Sequence, residues 1–415
     1  MVPTGTDAKC KGARPIVLYA HGTTTDIDYD LTNLENEDNA EGLFLAAYFA
    51  AQGYIVVAPN YAGYTGSTLG YHPYLNGDQQ SKDMIDALKA ARSALPSSAA
   101  QGTTDGGKLY VTGYSQGGYV ALATERALEA AGTRVNAAAP MSGPYALSAF
   151  ADAIFAGRVN GGAPIFTTMM LTAYQKSYGN VYGSVNDVYS PQYVDGIESL
   201  LPSTRLRSEI YDAGDLPPNA LFNSVPPDPA YANITPATKP ENLAPVFERG
   251  FDEEHLLKNS FRLTYLQDRD AHPDGWWPDP TTNEPPASPG MPFRQAIKRN
   301  DLRTWTPATP TLLCGGHDDP VVFWMNTEAM QDYWKTHGSA TAPFTVLDVD
   351  AATSGNDDPY EDVKRGFSIA KDVLRATAVA QGATDGGDEA VFEAYHAGLV
   401  APFCIEAARN FFEDH

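Results

Sequence analysis

One serine in this chain sits where a hydroxyl can be turned into a nucleophile. The run Lys108-Leu-Tyr-Val-Thr-Gly113-Tyr114-Ser115-Gln116-Gly117-Gly118 reads as a short apolar strand, a tight turn and then a helix from Tyr119 to Ala131. Gly-x-Ser-x-Gly between a strand and a helix forces the serine into a strained backbone conformation and holds its hydroxyl above the sheet edge. The flanking glycines are needed because strand and helix approach too closely there for a Cβ. The Gln116 N–H then lies beside the hydroxyl, at the helix N-terminus. Such a serine still requires a base, an acid to orient the base, and a second N–H donor for a developing oxyanion.

An elbow of this kind is completed in the chain order serine, acid, histidine. A late strand, Pro310 to Cys314, runs through a glycine turn into His317-Asp318-Asp319-Pro-Val-Val322. Asp319 stands at the usual distance beyond the strand end and is preferred to Asp318 as the acid. Of the eight histidines, His396 in Glu393-Ala-Tyr-His-Ala-Gly lies after the last strand and directly before the final helix, the place for a base carried on a loop. His72 comes too early, His255 and His272 lie in a central segment, His337 ends a helix and His415 is terminal. His21 and His317 abut strand ends and read as structural or substrate-lining. The second donor is expected in the loop His21-Gly22-Thr23, where Gly22 lets the backbone turn sharply. Thr23 N–H is the preferred donor and Thr24 N–H the second choice.

These residues need a frame. Short β-branched or buried runs at Pro15–Tyr19, Tyr54–Ala58, Leu109–Thr112 and Val135–Pro140 alternate with helices at Leu43–Ala51 and Lys82–Leu95 and the helix after the elbow. That alternation predicts a parallel sheet with helices on both faces. It stops near Tyr145. From there to Arg303 the sequence reads as helices (147–155, 165–174, 193–201, 243–251, 254–266) separated by proline-rich stretches, which cannot continue helices. Strands resume at 310–314 and 344–349, so the expected organisation is a core in two parts, 1–145 and 304–415, around an inserted helical cap over 146–303. Helices are expected at 360–380 and 399–412.

Composition narrows the partners. The chain has 415 residues, 43% hydrophobic and 19% charged, with a formal net charge of −23. So acidic a chain argues against nucleic acid, whose phosphates call for clustered Lys and Arg. No apolar run approaches the length of a transmembrane helix. Three cysteines, Cys10, Cys314 and Cys404, are too few for a disulfide scaffold. Cys314 and Cys404 each lie near a proposed catalytic residue and are placed to approach each other, with buried free thiols as the default reading.

Taken together, Val2-Pro-Thr-Gly, Tyr19-Ala-His-Gly-Thr-Thr, Ala58-Pro-Asn-Tyr-Ala-Gly-Tyr, His72-Pro-Tyr-Leu, Gly113-Tyr-Ser-Gln-Gly-Gly, Gly-His-Asp-Asp-Pro-Val-Val and the late Tyr-His-Ala-Gly resemble the secreted lipase and carboxylesterase branch of the α/β-hydrolases, of the lipase A type. The resemblance covers roughly 1–145 and 303–415. It implies an α/β-hydrolase fold and hydrolysis of small-molecule or polymeric carboxylic esters by Ser115, Asp319 and His396, with Gln116 and Thr23 as oxyanion donors and no metal or organic cofactor. His21, Tyr61 and Tyr114 are then candidate substrate-lining residues, and the Ile165–Leu171 run of the insertion a candidate acyl wall. Two departures stand out. The family begins with an antiparallel strand pair, of which Val2–Thr4 would be the last piece, and Thr353–Asp388 is a long segment before His396. Trp276-Trp277 reads as a packed loop in preference to an exposed aromatic platform. Secretion or periplasmic location is expected from the lysine-poor, acidic, aromatic-rich composition. The rival readings are a serine peptidase of the prolyl-oligopeptidase type, which usually carries a β-propeller ahead of this domain, and a non-catalytic binding protein of the same fold.

Overall fold

The computed structural model describes residues 1–4, 7–35, 40–98, 102–338, 343–355 and 358–415. Among the described residues, six strands form one sheet: β1 (Gly12–Ala20), β2 (Ile55–Val57), β3 (Thr103–Tyr114), β4 (Ala137–Met141), β5 (Thr311–Gly315) and β6 (Phe344–Asp348). Their order is β2-β1-β3-β4-β5-β6, and every pairing is parallel. Each predicted strand is present, because a strand buried on both faces reads as an unbroken apolar run. The stretches Val17–Ala20, Tyr110–Tyr114 and Ala137–Met141 are buried without alternation.

The helices are α1 (Glu41–Tyr48), α2 (Gly77–Ser98), α3 (Gln116–Ala130), α4 (Leu147–Phe155), α5 (Ala163–Tyr178), α6 (Arg207–Asp212), α7 (Ala244–Arg249), α8 (Asn259–Ala271), α9 (Pro292–Asn300), α10 (Met325–His337), α11 (Glu361–Ala380), α12 (Asp388–Ala394) and α13 (Ala401–Glu413). One face of the sheet packs against α2 and α3. The other packs against α1, α11 and α13, where Phe412 stacks on Tyr110 with ring centroids 4.6 Å apart. No described helix is long and apolar enough to cross a membrane.

Between β4 and β5 the chain is helical and irregular, and α4 to α9 lie there. Several expectations shift. The helix expected over 193–201 is two short 3₁₀ turns, Pro191–Tyr193 and Ile197–Ser199, because Gly196 takes a left-handed conformation between them. The helix expected at 254–266 begins later, at Asn259. Val2–Thr4 forms no strand. Instead Met1 exchanges both backbone hydrogen bonds with Val56 of β2, at 2.7 and 2.9 Å.

The cysteine reading is also corrected: Cys314 and Cys404 are joined in a disulfide, with a Cα–Cα distance of 5.7 Å. Its partners lie on β5 and α13, too far apart in sequence for local pattern to pair them. Cys10 is free and buried.

Candidate active site

Ser115 sits between β3 and α3 with φ 60° and ψ −122°. Such a conformation is costly for a side chain and persists only where the surroundings over-determine it. Here they do. A Cβ on Gly113 would come within 2.4 Å of Gly117 O, one on Gly117 within 1.9 Å of Ala20 O, and one on Gly118 within 2.3 Å of Met141 O. The Ser115 N–H is fixed to Met141 O at 3.0 Å. The turn is thus held between β1 and β4, which flank β3 in the sheet.

Asp319 and His396 meet beyond the ends of β5 and α12. His396 Nδ1 lies 2.7 Å from Asp319 Oδ2. The other carboxylate oxygen of the buried Asp319 accepts the N–H groups of Val321 and Val322 at 2.9 and 3.0 Å. Those bonds leave Oδ2 to the imidazole, which therefore carries its proton on Nδ1 and its lone pair on Nε2. His396 Nε2 is buried and makes no hydrogen bond to a described residue. Asp318 points elsewhere, accepting from Asn242 Nδ2 at 2.6 Å. The expected loop for His396 is instead a π-helical turn, Tyr395–Val400, inside an almost continuous run from α12 to α13. A π-turn widens the helix locally and is common at functional sites. Tyr114, the residue before the serine, donates its hydroxyl to the His396 carbonyl and so holds that turn open.

The loop expected to carry the second donor follows β1. Gly22 N–H is taken up by the Glu41 carboxylate at 3.0 and 3.2 Å, which also accepts from Tyr19 OH at 2.6 Å. Burial pushes the Glu41 carboxyl above its usual range. Neither the Thr23 N–H nor the Gln116 N–H is bonded to a described group. His21 is buried with its ring stacked on Tyr61, centroids 4.1 Å apart, and burial pushes its pKa down to about 4. Glu41 was missed by sequence reasoning because a lone acidic residue opening a helix reads as solvated. His72 lies too early in the chain to be the base, yet its Nε2 lies 2.7 Å from the Gln116 side-chain amide.

A narrow pocket of about 60 Å³ opens beside Ser115 and Gln116, walled mainly by Phe150 and Ile154 of α4, Phe166 and Met170 of α5, and Val321. The candidate lining residues are corrected: His21, Tyr61 and Tyr114 do not line it, because each is consumed in packing the loop or the histidine turn. Within the Ile165–Leu171 run, Phe166, Thr167 and Met170 face the pocket, while Ile165, Met169 and Leu171 belong to the core. Trp276 and Trp277 are partly buried, Trp276 donating to Asp332 at 2.9 Å and the Trp277 ring meeting the guanidinium groups of Arg158 and Arg269. His317, Asp318 and Asp350 bring ligand atoms within 4.8 Å of one another, but each is engaged, His317 with Asp348 and Asp350 with Lys371.

Comparison with known proteins gives the fold. The prolyl oligopeptidase family matches residues 43–158, the stretch that contains the elbow. The rice cell wall degrading esterase LipA from Xanthomonas oryzae superposes with a TM-score of 0.64 at 24% identity, covering 88% of this chain and 81% of that one. A protein from Legionella pneumophila described as a hydrolase superposes with a TM-score of 0.63 at 19% identity, covering 97% of this chain and 80% of that one. The chain has the α/β-hydrolase fold.

Proposed function

We propose that the protein is a serine hydrolase of carboxylic esters in which Ser115 is the nucleophile, His396 the base and Asp319 the acid. The observation that carries this reading is the buried Asp319–His396 pair at 2.7 Å, which leaves Nε2 as a free base beyond the same C-terminal edge of the parallel sheet as the strained Ser115. Ser115 Oγ attacks the ester carbonyl as His396 Nε2 takes its proton. Asp319 holds the Nδ1–H and stabilises the imidazolium. The tetrahedral oxyanion is received by the N–H groups of Gln116 and Thr23. His396 returns the proton to the departing alkoxide, and a water then repeats the sequence on the acyl-enzyme.

The apolar pocket beside Ser115 supports an acyl chain as the group bound there, and its small volume supports a short one. The segment between β4 and β5 then acts as the specificity cap, since α4 and α5 supply most of the wall. The likeness to an esterase points the same way. The match of residues 43–158 to prolyl oligopeptidases favours peptide-amide hydrolysis as the second reading. The Cys314–Cys404 bridge supports export to an oxidising compartment.

Two measurements test this. A fluorophosphonate probe should label the wild-type protein and not Ser115→Ala, and Ser115→Ala should lose ester turnover while melting like the wild type. Matched p-nitrophenyl esters and p-nitroanilides should separate the two readings: turnover of short-chain esters without the anilides supports the first, and the reverse overturns it.

A further inference from the structure

Four side chains from one short segment reach the loop after β1 and the elbow. Tyr61 OH donates to His21 O at 2.9 Å, and Tyr64 OH donates to Thr24 O at 2.9 Å. Tyr74 OH shares a hydrogen bond with Thr23 Oγ1 at 3.0 Å. His72 works on the other side. Its Nδ1 lies 2.8 Å from Ala62 O, a carbonyl that can only accept, so the proton is on Nδ1. Nε2 is therefore an acceptor, and the Gln116 side-chain N–H donates to it at 2.7 Å. Burial holds this imidazole neutral down to about pH 3, which keeps the acceptor lone pair in place.

The segment is built as one rigid piece. Tyr61 and Leu75, near its two ends, both take left-handed backbone conformations. A Cβ on Gly63 would strike Tyr71 O at 2.3 Å and His72 N at 2.4 Å, so the segment doubles back on itself in close contact. The His72 ring lies within 4.7 to 6.0 Å of the rings of Tyr61, Tyr64 and Tyr74. Strained backbone of this kind concentrates where a function requires the geometry.

We propose that Tyr61, Tyr64, His72 and Tyr74 are positioning residues that set both oxyanion donors, the N–H groups of Thr23 and Gln116, from a single template. This rests on reading Ser115 as the nucleophile. The physical need is clear. A donor contributes only when it points at the position the oxyanion will occupy, and a loop containing Gly22 has the freedom to miss it. The template removes that freedom. His21, Thr23 and Thr24 are each fastened through a carbonyl or a hydroxyl, and Gly22 through Glu41. The Thr23 N–H is left unbonded in the middle of a pinned loop. At the start of α3, His72 ties the Gln116 side chain to the same segment, so the two donors keep one spacing.

The test uses Gln116→Met, Tyr74→Phe and His72→Asn in the full chain, with p-nitrophenyl butyrate as substrate and an alkyl boronic acid as mimic of the tetrahedral oxyanion. A misplaced donor costs transition-state binding, so kcat should fall about tenfold with KM changed by less than about twofold. Boronate affinity should weaken by the same factor as kcat. The double variant His72→Asn/Gln116→Met should be no slower than the worse single, because the two act as one unit. His72→Gln, whose Oε1 can accept where Nε2 did, should recover most of the loss. Gln116→Met and Tyr74→Phe remove almost no buried volume, so the outcome does not depend on His72→Asn folding. If wild-type Ser115 takes the fluorophosphonate but Gln116→Met and Tyr74→Phe keep kcat and boronate affinity within about twofold, the positioning role is overturned. If wild-type Ser115 takes no label, the nucleophile reading has failed instead.

Discussion

The surroundings of the loop after β1 and the helical segment between β4 and β5 bury polar groups by opposite means. Around the loop after β1, tyrosine and histidine side chains bond to backbone and hydroxyl groups, and the Glu41 carboxylate takes the Gly22 N–H. Between β4 and β5 the joints are arginine–aspartate networks. Arg303 makes two bonds to Asp274, at 2.6 and 2.9 Å, and two to Asp301, at 2.8 and 3.1 Å, with all three side chains fully buried. Asp301 also caps Ser148 N at the start of α4, and Asp274 receives the N–H groups of both tryptophans. Arg294 joins Asp152 of α4 to Asp268 of α8. Even beside this arginine, burial dominates and pushes the Asp152 carboxyl up to about 6. The difference follows from what each region must fix. Neutral hydrogen bonds are short-range and directional, and they suit a loop whose single N–H must aim. A guanidinium can satisfy several carboxylate oxygens at once and suits short helices and loops with little core of their own.

The sharpest way to break this comparison is to remove one joint from each side. Arg303→Met should destabilise the protein by about 3–5 kcal/mol, because two buried carboxylates lose their counter-ion. Tyr64→Phe removes one neutral hydrogen bond and should cost about 1 kcal/mol. Denaturant unfolding at neutral pH measures both. Equal costs would mean that the charged networks do no more for the fold than the tyrosines do.

The Asp319–His396 side is fastened differently again, by a covalent link. Cys314 lies near the end of β5, the strand that leads into Asp319, and Cys404 lies on α13, which follows the His396 turn, so the disulfide ties the two supports together across 90 residues of sequence. Cys404→Ala should cost about 2–4 kcal/mol of stability. It should also lower kcat by loosening the Asp319–His396 register, whereas Tyr64→Phe should act through oxyanion binding. Boronate affinity read against kcat tells these apart. A Cys404→Ala protein as stable and as active as wild type would remove the disulfide from the account of the site.

Most of the core was legible in the sequence, and the reasons are local. The six strands announce themselves as apolar runs, and Gly113, Gly117 and Gly118 mark a turn that no Cβ can enter. Order along the chain was enough to single out Asp319 and His396, the pair that comes together. What could not be read depends on contacts between distant residues. Nothing near Glu41 signals that it will lie under Gly22, and the role of His72 depends on Gln116, which follows it by 44 residues. Tyr61 and Tyr114 looked available to a substrate because a tyrosine near a motif gives no sign of where its hydroxyl goes. The region from 146 to 303 was legible as helical, but its boundaries were not. Its prolines and glycines cut the helices short, and the arginines that join them come from the far end of the segment.

The two histidines beside the donor loop provide a finer test, because they titrate with known sign. In the unfolded chain His72 takes up a proton near pH 6.5, while burial delays that to about pH 3 in the folded protein. Above pH 6.5 both states are neutral and the group has no effect on stability. As pH falls below 6.5 the unfolded state gains protons that the folded state refuses, so stability is lost progressively until about pH 3. Between pH 6.5 and 5 this amounts to about 2 kcal/mol for one such group. His21, pushed down to about 4, acts in the same direction, whereas Glu41, pushed up, acts in the opposite one. Replacing only His72 separates its share from theirs. In His72→Gln the acid limb of the stability curve should therefore be shallower than in wild type by about 2 kcal/mol over that interval. Unfolding curves at pH 7, 6 and 5 for both proteins give the comparison. Parallel curves would mean that the imidazole is already hydrated in the folded state, and the dry template around the oxyanion donors would then have to be abandoned.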